Sequence, residues 1–355
     1  IRLPMATLIV GRPTFFKVVF YYLLLILFTA VIRKRARGYR IFEPKQMRGH
    51  RYYLYFSEGI RRWCMLGGAL AMVLVGMMKL PRITKLSIDM LSVGQGDGIV
   101  VRTPEGVTFL IDGGSTSNDS LGEYVLLPYL KYYGIDHIDY WMISHMDEDH
   151  YNGGLALIEL GYSIDNVVVA RASGEEKAGG YDEVETTAKA AGAELLYIEA
   201  SDRIGAGSVE FSCLYPGERP VYDGTNENSV VLWLTAGDFD MIFTGDLGED
   251  QERYLLDDVE MSGLFSGGNI EVLKTAHHGS KYSNCSEWLM NLSPELCVIS
   301  AGKYNSYGHP SPDTISRMDS LGISHLCTID CGEISIQPEA DGRFKVTTQL
   351  SRPGL

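Results

Sequence analysis

Two long apolar runs open the chain. The first, residues 14–32, is interrupted by a single charge, Lys17, and has about the length that crosses a bilayer as a helix. The second, residues 63–78, is shorter. The pattern predicts two transmembrane helices, at about 14–32 and 63–78. For the second run, a buried or interfacial helix is the alternative.

From residue 86 onward, short apolar runs alternate with amphipathic stretches. Residues 138–143 form one such run, with the length of a buried strand, and residues 181–191 repeat their apolar positions as a helix does. Strands that alternate with helices and hairpin turns indicate sheets covered by helices. We therefore predict a membrane segment at residues 1–85 and a folded α/β domain at residues 86–355.

Charge changes sign at the same boundary. Residues 1–85 hold 16 Lys+Arg and 2 Asp+Glu, a net of +14, whereas residues 86–355 hold 15 and 43, a net of −28. Ten of the basic residues lie in residues 33–62, so the positive-inside rule places this linker in the cytoplasm. If both apolar runs span, residues 86–355 lie on the extracytoplasmic side of the cell membrane. Because the chain opens at Ile1, we interpret it as the C-terminal piece of a longer protein.

The predicted strand at residues 138–143 is followed by a segment dense in metal-binding side chains. Two histidines alternate with two aspartates, at His145, Asp147, Asp149 and His150. Imidazole and carboxylate are ligands of divalent transition metals. A loop has no fixed period, so it could turn all four side chains inward. A solvated acidic turn would explain the aspartates but not the histidines, and the segment predicts a metal site.

Three later segments place similar chemistry at predicted strand ends. Asp246 follows Gly245 at the end of an apolar run, and adjacent histidines, His277 and His278, follow another. His309 lies between Gly308 and Pro310, a setting that indicates exposure rather than burial in a core. We interpret these residues as further candidates for the same site.

Together these segments carry a family resemblance. The pattern His145-x-Asp147-x-Asp149-His150 resembles the HxHxDH signature of the metallo-β-lactamase superfamily, with Asp147 in the second histidine position. Residues 93–97 (VGQGD), 110–114 (LIDGG) and 300–310 resemble motifs of the C-terminal domain of ComEC-type DNA-uptake competence proteins. The resemblance covers residues 86 to about 340. It implies an αββα sandwich, preceded by the two membrane helices, with the site at one edge of the two sheets.

The resemblance also implies how the site is arranged. It points to one or two divalent ions, with His145 and Asp147 in a first metal site and Asp149 and His150 in a second. Either His277 or His278 would complete the second site, and their adjacency leaves the choice open. Asp246 would bridge. The residues expected to take part in catalysis are Asp147, Asp112, Asn228 and His309, although Asp112 could equally serve only to tie down a strand end by hydrogen bonds.

One absence bears on the metal. No histidine occurs between His150 and His277, where the superfamily usually supplies a third ligand to the first site. Asn226, Asn228 and Ser229 lie in that stretch instead. Such an oxygen-rich site favours Mn²⁺ or Mg²⁺ over Zn²⁺, and Zn²⁺ remains the alternative.

The activity implied by the resemblance is phosphodiester hydrolysis, degrading the DNA strand that is not imported. The implied partners are single-stranded DNA, the membrane, the upstream channel domain and the DNA-uptake machinery. A domain of charge −28 repels a polyanion, so we expect weak DNA binding, helped by three lysines beside the site motifs, Lys274, Lys281 and Lys303. Two alternatives stay open: a membrane-tethered hydrolase of cell-surface phosphodiesters or lactams, and a non-catalytic module that gates a channel.

Overall fold

The computed structural model describes residues 9, 11–36, 42–47, 51–56, 58–79, 85–176, 179–217, 224–257, 270–339 and 341–350. The chain divides into two compact units. The first comprises Ile1–Arg82 with Lys131–Gly134, and the second comprises Ile83–Leu130 with Ile135–Leu355.

The first unit contains two helices and a hairpin. Helix α1 (Phe15–Ala36) and helix α2 (Glu58–Lys79) flank strands β1 (Phe42–Met47) and β2 (Arg51–Phe56), which pair antiparallel. The hairpin lies within the basic linker and was not predicted; its second strand is rich in aromatic residues that favour strands. Among the residues described, no helix combines the length and the hydrophobicity needed to cross a membrane. The two membrane spans stay a prediction.

The second unit is built on two facing sheets. Its strands, in chain order, are β3 (Ser87–Met90), β4 (Gly98–Arg102), β5 (Thr108–Asp112), β6 (His137–Met142), β7 (Ser163–Ala170), β8 (Glu194–Ile198), β9 (Arg203–Ala206), β10 (Val209–Tyr215), β11 (Val231–Ala236), β12 (Phe239–Phe243), β13 (Val272–Lys274), β14 (Leu296–Ile299), β15 (Ser324–Cys327), β16 (Ile334–Pro338) and β17 (Phe344–Thr348). One sheet has the order β17-β16-β3-β4-β5-β6-β7-β8 and the other β15-β14-β13-β12-β11-β10-β9. Each is mixed: β5 to β8 run parallel in the first and β12 to β15 in the second, and the remaining neighbours are antiparallel.

Helices cover the outer faces of both sheets. In chain order, the described α-helices after β5 are α3 (Leu127–Tyr133), α4 (Glu148–Glu159), α5 (Arg171–Glu176), α6 (Tyr181–Ala191), α7 (Glu249–Asp257), α8 (Ser286–Leu292), α9 (Pro312–Leu321) and α10 (Thr328–Cys331). Helices α4 and α6 pack on the eight-stranded sheet. Helices α7, α8 and α9 bury Leu255, Trp288 and Met318 against the seven-stranded sheet.

The main core lies between the sheets. Phe109 of β5 contacts Phe211 of β10, with ring centroids 4.8 Å apart, and Met142 and Met241 belong to the same buried cluster. Alternate residues of each strand face this layer, as the pleat requires. The predicted αββα sandwich is confirmed, and a single doubly wound sheet is excluded.

Five strands position the site. Strands β5, β6, β12 and β13 each carry a candidate residue at or just beyond the carboxyl end, β14 leads into the loop that carries His309, and these ends meet at one edge of the sandwich. A hydrogen bond also joins the two sheets directly. Ser300 Oγ, just after β14, donates to the carbonyl of Gly96, just before β4, at 2.6 Å.

Candidate metal centre

The ligand-dense segment is partly helical. Helix α4 begins at Glu148, so Asp149 and His150 lie in its first turn and Asp147 occupies the N-cap position. The prediction of a loop through all four side chains was therefore wrong beyond Asp147. Acidic residues in a first helical turn are stabilised by the partial positive charge of the N-terminus, and Glu148 and Asp149 both benefit. The helix fixes the spacing of Asp149 and His150, whereas His145 is set by the turn after β6.

The eight-stranded sheet contributes His145 and His150, and the seven-stranded sheet contributes Asp246. The rings of His145 and His150 have centroids 4.0 Å apart, and His150 Nε2 lies 3.4 Å from Asp246 Oδ1. Ligand atoms of these three residues all lie within 4.8 Å of one another. All three side chains are buried. The sandwich thus brings together residues about a hundred positions apart in the sequence.

The structure distinguishes the two adjacent histidines. His278 is buried, and its Nε2 lies 3.4 Å from Asp246 Oδ2 and 3.6 Å from Asp149 Oδ2. Asp149, His150 and His278 form a second group with ligand atoms within 4.8 Å. The side chain of His277 is 31% exposed, and its Nε2 lies 3.6 Å from Asp246. The geometry favours His278 as the ligand and leaves His277 at the rim.

These side chains fit a divalent cation. Among the described residues, Nε2 of His145, His150 and His278 and Oδ1 of Asp246 are buried without a hydrogen-bond partner. An unsatisfied buried polar atom is costly, and several that converge on one place are explained by an ion. Three imidazole nitrogens with the carboxylates of Asp149 and Asp246 are a donor set that both Mn²⁺ and Zn²⁺ accept.

The protonation states differ between the histidines. Burial, reinforced by the neighbouring His150, lowers the pKa of His145 to about 3, so its imidazole is neutral. Burial opposes the charged form of His150 and His278 too, but the carboxylate of Asp246 outweighs it and raises the pKa of both. A divalent cation would compete with the protons bound to His150 and His278, because the negative charge of Asp246 stabilises both the cation and the protons.

Asp112 orients His150. Its Oδ2 lies 3.0 Å from His150 Nδ1, and its Oδ1 accepts a hydrogen bond from the Ser144 backbone amide at 2.7 Å. The carboxylate therefore fixes Nδ1 as the protonated nitrogen and leaves Nε2 free to bind metal. Ser144 adds to this support, with its Oγ 3.0 Å from His145 Nδ1. The Asp112 carboxylate thus holds the end of β5 by a hydrogen bond, as one interpretation of the sequence proposed, and it also faces the site, as the other did.

A buried ion pair lies behind the cluster. Lys274 Nζ pairs with Asp97, whose Oδ1 lies 3.6 Å from His278 Nδ1. Burial opposes ionisation of Asp97, but Lys274 and His278 lower its pKa. Lys274 had been expected to attract DNA; that expectation was wrong, because its side chain is buried and already paired. A lysine inside an apolar strand was the signal that could have revealed the pair, since lysine is almost never buried unpaired.

Asp147 and Asn228 lie outside the two groups. Asp147 Oδ1 accepts a hydrogen bond from Thr225 Oγ1 at 2.6 Å, and its Oδ2 is 3.8 Å from His145 Nε2. The Asn228 side chain donates to the carbonyl of Gly224, whereas the next residue, Ser229, accepts from the Asp246 amide through Oγ. Ser229 is thus the residue of this turn that supports a candidate ligand.

His309 borders the cluster from a separate loop. Its ring centroid lies 5.4 Å from that of His277 and 6.2 Å from that of His278. Partial burial, with His277 nearby, lowers the pKa of His309 to about 4. The imidazole is therefore neutral at neutral pH and can accept a hydrogen bond at the rim.

Comparison with known proteins agrees with this geometry. The family model of the metallo-beta-lactamase superfamily matches residues 91–302. The chain is 30% identical over 260 residues to ComE operon protein 3 of Bacillus subtilis (strain 168), covering 70% of this chain and 32% of that protein. It is 32% identical over 241 residues to competence protein ComA of Neisseria gonorrhoeae, covering 66% and 30%. The chain thus spans about a third of the length of these relatives.

Among solved structures, the chain is similar to the metallo-beta-lactamase fold protein YhfI from Bacillus subtilis, with a TM-score of 0.46 and 11% identity, covering 74% of this chain and 100% of that chain. The resemblance to ComEC-type competence proteins is confirmed by the curated relatives. The family model covers more than half of the sequence and includes both histidine segments, and this chain belongs to the metallo-beta-lactamase superfamily of hydrolases.

Proposed function

We propose that this chain is a metal-dependent phosphodiesterase that degrades the non-imported strand during DNA uptake. The observation that carries the hydrolase chemistry is the convergence of His145, His150, His278 and Asp246 on one buried place. The DNA substrate is supported by the relatives, one of which is named competence protein ComA.

The chain's own residues define what such a site can do. A divalent cation, when bound, polarises a phosphoryl oxygen and lowers the pKa of water. His145 would hold it through a neutral Nε2, and Asp246 faces His150 with one oxygen and His278 with the other. At the rim, neutral His309 is within reach of a substrate bound beside His277 and is our candidate for proton transfer. Asp112 keeps His150 in the ligating tautomer.

The test is cleavage of single-stranded DNA by the purified 355-residue chain with Mn²⁺. We expect cleavage by the wild type and none by Asp149→Ala or His150→Ala. A chromogenic lactam and bis(p-nitrophenyl) phosphate, assayed in parallel, separate the alternatives. Lactam turnover without DNA cleavage would replace the nuclease assignment, and turnover of no substrate would favour the gating module. DNA cleavage that survives both substitutions would identify a contaminant.

Metal identity is a separate part of the proposal. We infer weak, exchangeable Mn²⁺ binding in the first site, because Asp147 stands there where the superfamily signature has a histidine. The second site, with Asp149, His150 and one of His277 and His278, should hold metal more firmly. Asp147→His is expected to shift the preference toward Zn²⁺. Metal content would be measured for both proteins after dialysis against each ion. Two tightly held Zn²⁺ ions in the wild type would overturn the inference.

We also propose that residues 86–355 lie outside the cytoplasmic membrane, next to an upstream channel domain and the rest of the uptake machinery. The support is the ten basic residues of the linker 33–62. A reporter fused to the C-terminus should be active outside the cytoplasm. Activity inside would contradict the assigned membrane spans.

A further inference from the structure

Three tyrosines near the metal centre are unusually exposed. Tyr304 is 91% exposed, Tyr282 69% and Tyr307 63%. A tyrosine ring is a large apolar surface, and exposing several near one cleft leaves that surface without packing partners in the folded protein. Aromatic residues of this kind are typical of binding surfaces.

The tyrosines lie on two loops that contact each other. The first follows His278 and carries Lys281 and Tyr282, and the second runs from Gly302 to Ser311. The Ser311 amide donates to the carbonyl of Gly279 at 2.8 Å, and Thr314 Oγ1 donates to the carbonyl of Ser280 at 2.8 Å. Both loops therefore belong to one surface at the mouth of the candidate metal centre.

Aromatic rings connect this surface to the metal centre. The ring of Tyr307 stacks on His309, with centroids 5.7 Å apart and an interplanar angle of 24°. The His309 ring is in turn 6.2 Å from that of His278, at 33°. A planar group stacked at Tyr307 would therefore lie two rings from a candidate metal ligand.

The second loop is held in shape before any ligand arrives. The Asn305 side chain accepts from the amides of Tyr307 and His309 at 3.1 and 2.9 Å, and donates to the carbonyls of Gly302 and His309, both at 2.6 Å. A loop fixed in this way loses little conformational entropy on binding. The exposed tyrosines are thus preorganised rather than loose.

Two exposed cations accompany the rings. Lys281 Nζ lies 4.8 Å from the centroid of Tyr282, and Lys303 Nζ lies 5.7 Å from that of Tyr304. In the second unit, most of the other described lysines and arginines pair with a carboxylate. Lys189 pairs with Glu185, for example, and Arg203 with Glu210. Lysines placed over tyrosines instead of carboxylates leave positive charge available to a polyanion within a strongly acidic domain.

We propose that Tyr304 and Tyr307, with Tyr282, Lys281 and Lys303, form a stacking surface for single-stranded nucleic acid. Bases stack on the tyrosines, and the two ammonium groups attract the phosphates that link them. A base paired within a duplex has both faces covered by its neighbours, so the surface selects single strands. The inference rests on the proposed function, because the stacking surface would bind the nucleic-acid substrate of that reaction.

The test measures binding without cleavage. The 355-residue chain would be titrated, in EDTA and low salt, into a fluorescently labelled thymidine oligonucleotide of about 12 nucleotides. An abasic strand of the same length and a matched duplex serve as probes without accessible bases. We expect the thymidine strand to bind more tightly than either. Tyr304→Ala and Tyr307→Ala should each weaken its binding about tenfold and leave abasic binding unchanged.

Two further variants separate stacking from folding. Tyr307→Trp should retain the affinity, since tryptophan also stacks, whereas Tyr307→Leu should lose it although leucine fills similar space. Tyr124→Ala is the matched control, because Tyr124 is also 69% exposed and lies on the short π-helix Gly122–Leu126, which contributes no residue to either loop. It should bind as the wild type does.

The outcomes distinguish this inference from the proposed function. Equal binding of thymidine and abasic strands by the wild type, or no loss in the two alanine variants, would overturn the stacking surface even if Mn²⁺-dependent cleavage is found. Base-dependent binding that the alanine variants lose would support it even if no cleavage is found.

Discussion

The two sheets present their histidines by different means. On the eight-stranded side, His145 and His150 flank the start of α4, and their rings are held by neighbours in the same layer, Ser144 and Asp112. On the seven-stranded side, His277 and His278 have φ values of 49° and 54°, in the left-handed region that side chains other than glycine rarely adopt. The eight-stranded half thus combines a regular helix start with a single left-handed residue, Asp112 (φ 58°), whereas the seven-stranded half places two consecutive left-handed residues at the histidines themselves.

Hydrogen bonds from residues outside the turn hold the left-handed conformation at His277 and His278. The side chain of Asn284 clamps Ala276, accepting from its amide at 2.9 Å and donating to its carbonyl at 3.0 Å. Glu252 in turn accepts from the amides of Asn284 and Cys285 at 2.5 and 2.7 Å. Such strain persists only where surrounding structure enforces it. We therefore expect the seven-stranded half to be sensitive to remote substitutions and the eight-stranded half to substitutions next to the ligands.

The largest expected effect is a loss of metal affinity, and it should differ between substitutions of the adjacent residues His277 and His278. His278→Ala removes a buried side chain that faces both Asp149 and Asp246, so metal affinity should fall by more than the roughly 100-fold upper range for an outer-shell change. His277→Ala removes a partly exposed ring and should cost less than about tenfold by the same standard. Isothermal titration with Mn²⁺ and with Zn²⁺ measures both. Equal losses would contradict the assignment of His278 as the ligand.

A somewhat smaller effect is expected on the eight-stranded side from Asp112→Asn. The amide would offer Nδ2–H to His150 Nδ1, forcing the tautomer whose Nε2 carries the proton and cannot bind metal. Metal affinity should fall about 10- to 100-fold.

Asp202→Asn is the control for that substitution. The Asp202 carboxylate also accepts from a backbone amide, that of Glu199, and among the described residues it belongs to no group that could hold a metal ion. Unchanged affinity in Asp112→Asn would show that the carboxylate only ties the strand end.

Two asparagines with similar hydrogen bonds, one in each half, allow the contributions of the two halves to the free energy of unfolding to be compared. Asn152 clamps Ser115 near the eight-stranded sheet with two hydrogen bonds of 3.0 and 2.8 Å, much as Asn284 clamps Ala276. Asn284 is fully buried and Asn152 half-buried, so Asn284→Ala should lower the free energy of unfolding by about 2–3 kcal/mol and Asn152→Ala by about 1 kcal/mol. Urea denaturation measures both values. The reverse order would contradict the comparison.

The last effect is a dependence of stability on pH through Glu252. Burial raises the pKa of Glu252 to about 7 from 4.5, against the opposing hydrogen bonds of the Cys285 and Asn284 amides. The folded state therefore binds a proton more tightly than the unfolded state. This stabilisation of the folded state is fully present below the unfolded pKa and is lost as pH rises through the folded pKa, by at most about 1.4 kcal/mol per pH unit.

Glu252→Gln does not titrate and provides the reference for that slope. Its destabilisation relative to the wild type should shrink between pH 5 and pH 8, a window set by the pKa of about 7. Thermal denaturation at both pH values measures the difference. A difference that grows with pH would show that the carboxylate is ionised when buried.

The alternation of strands with helices and the metal-binding side chains at strand ends follow from short-range patterns, whereas the αββα arrangement was implied by the family resemblance. Apolar runs of strand length and polar residues at their ends are visible without a structure. The start of α4 was missed because ligand density was taken to indicate a loop, while Asp147 at the N-cap and acidic residues in the first turn also describe a helix start. The choice of His278 over His277 depends on two left-handed residues, which no local pattern specifies. Lys274 within an apolar strand signals that a buried partner exists, but that partner, Asp97, lies far away in the chain and could not be identified from the sequence.

The bond between Ser300 and Gly96 has a consequence for the order of events during synthesis. It joins positions 204 residues apart, and β16 returns to pair with β3 near the beginning of the same unit. Contacts so distant in sequence form slowly, because a long loop must close before they stabilise anything. A nascent chain that lacks β14 or β16 cannot complete either the sheet edge or the histidine cluster that depends on it. We expect metal-dependent activity to appear only after translation has passed these strands, so that the enzyme remains inert while it is being made.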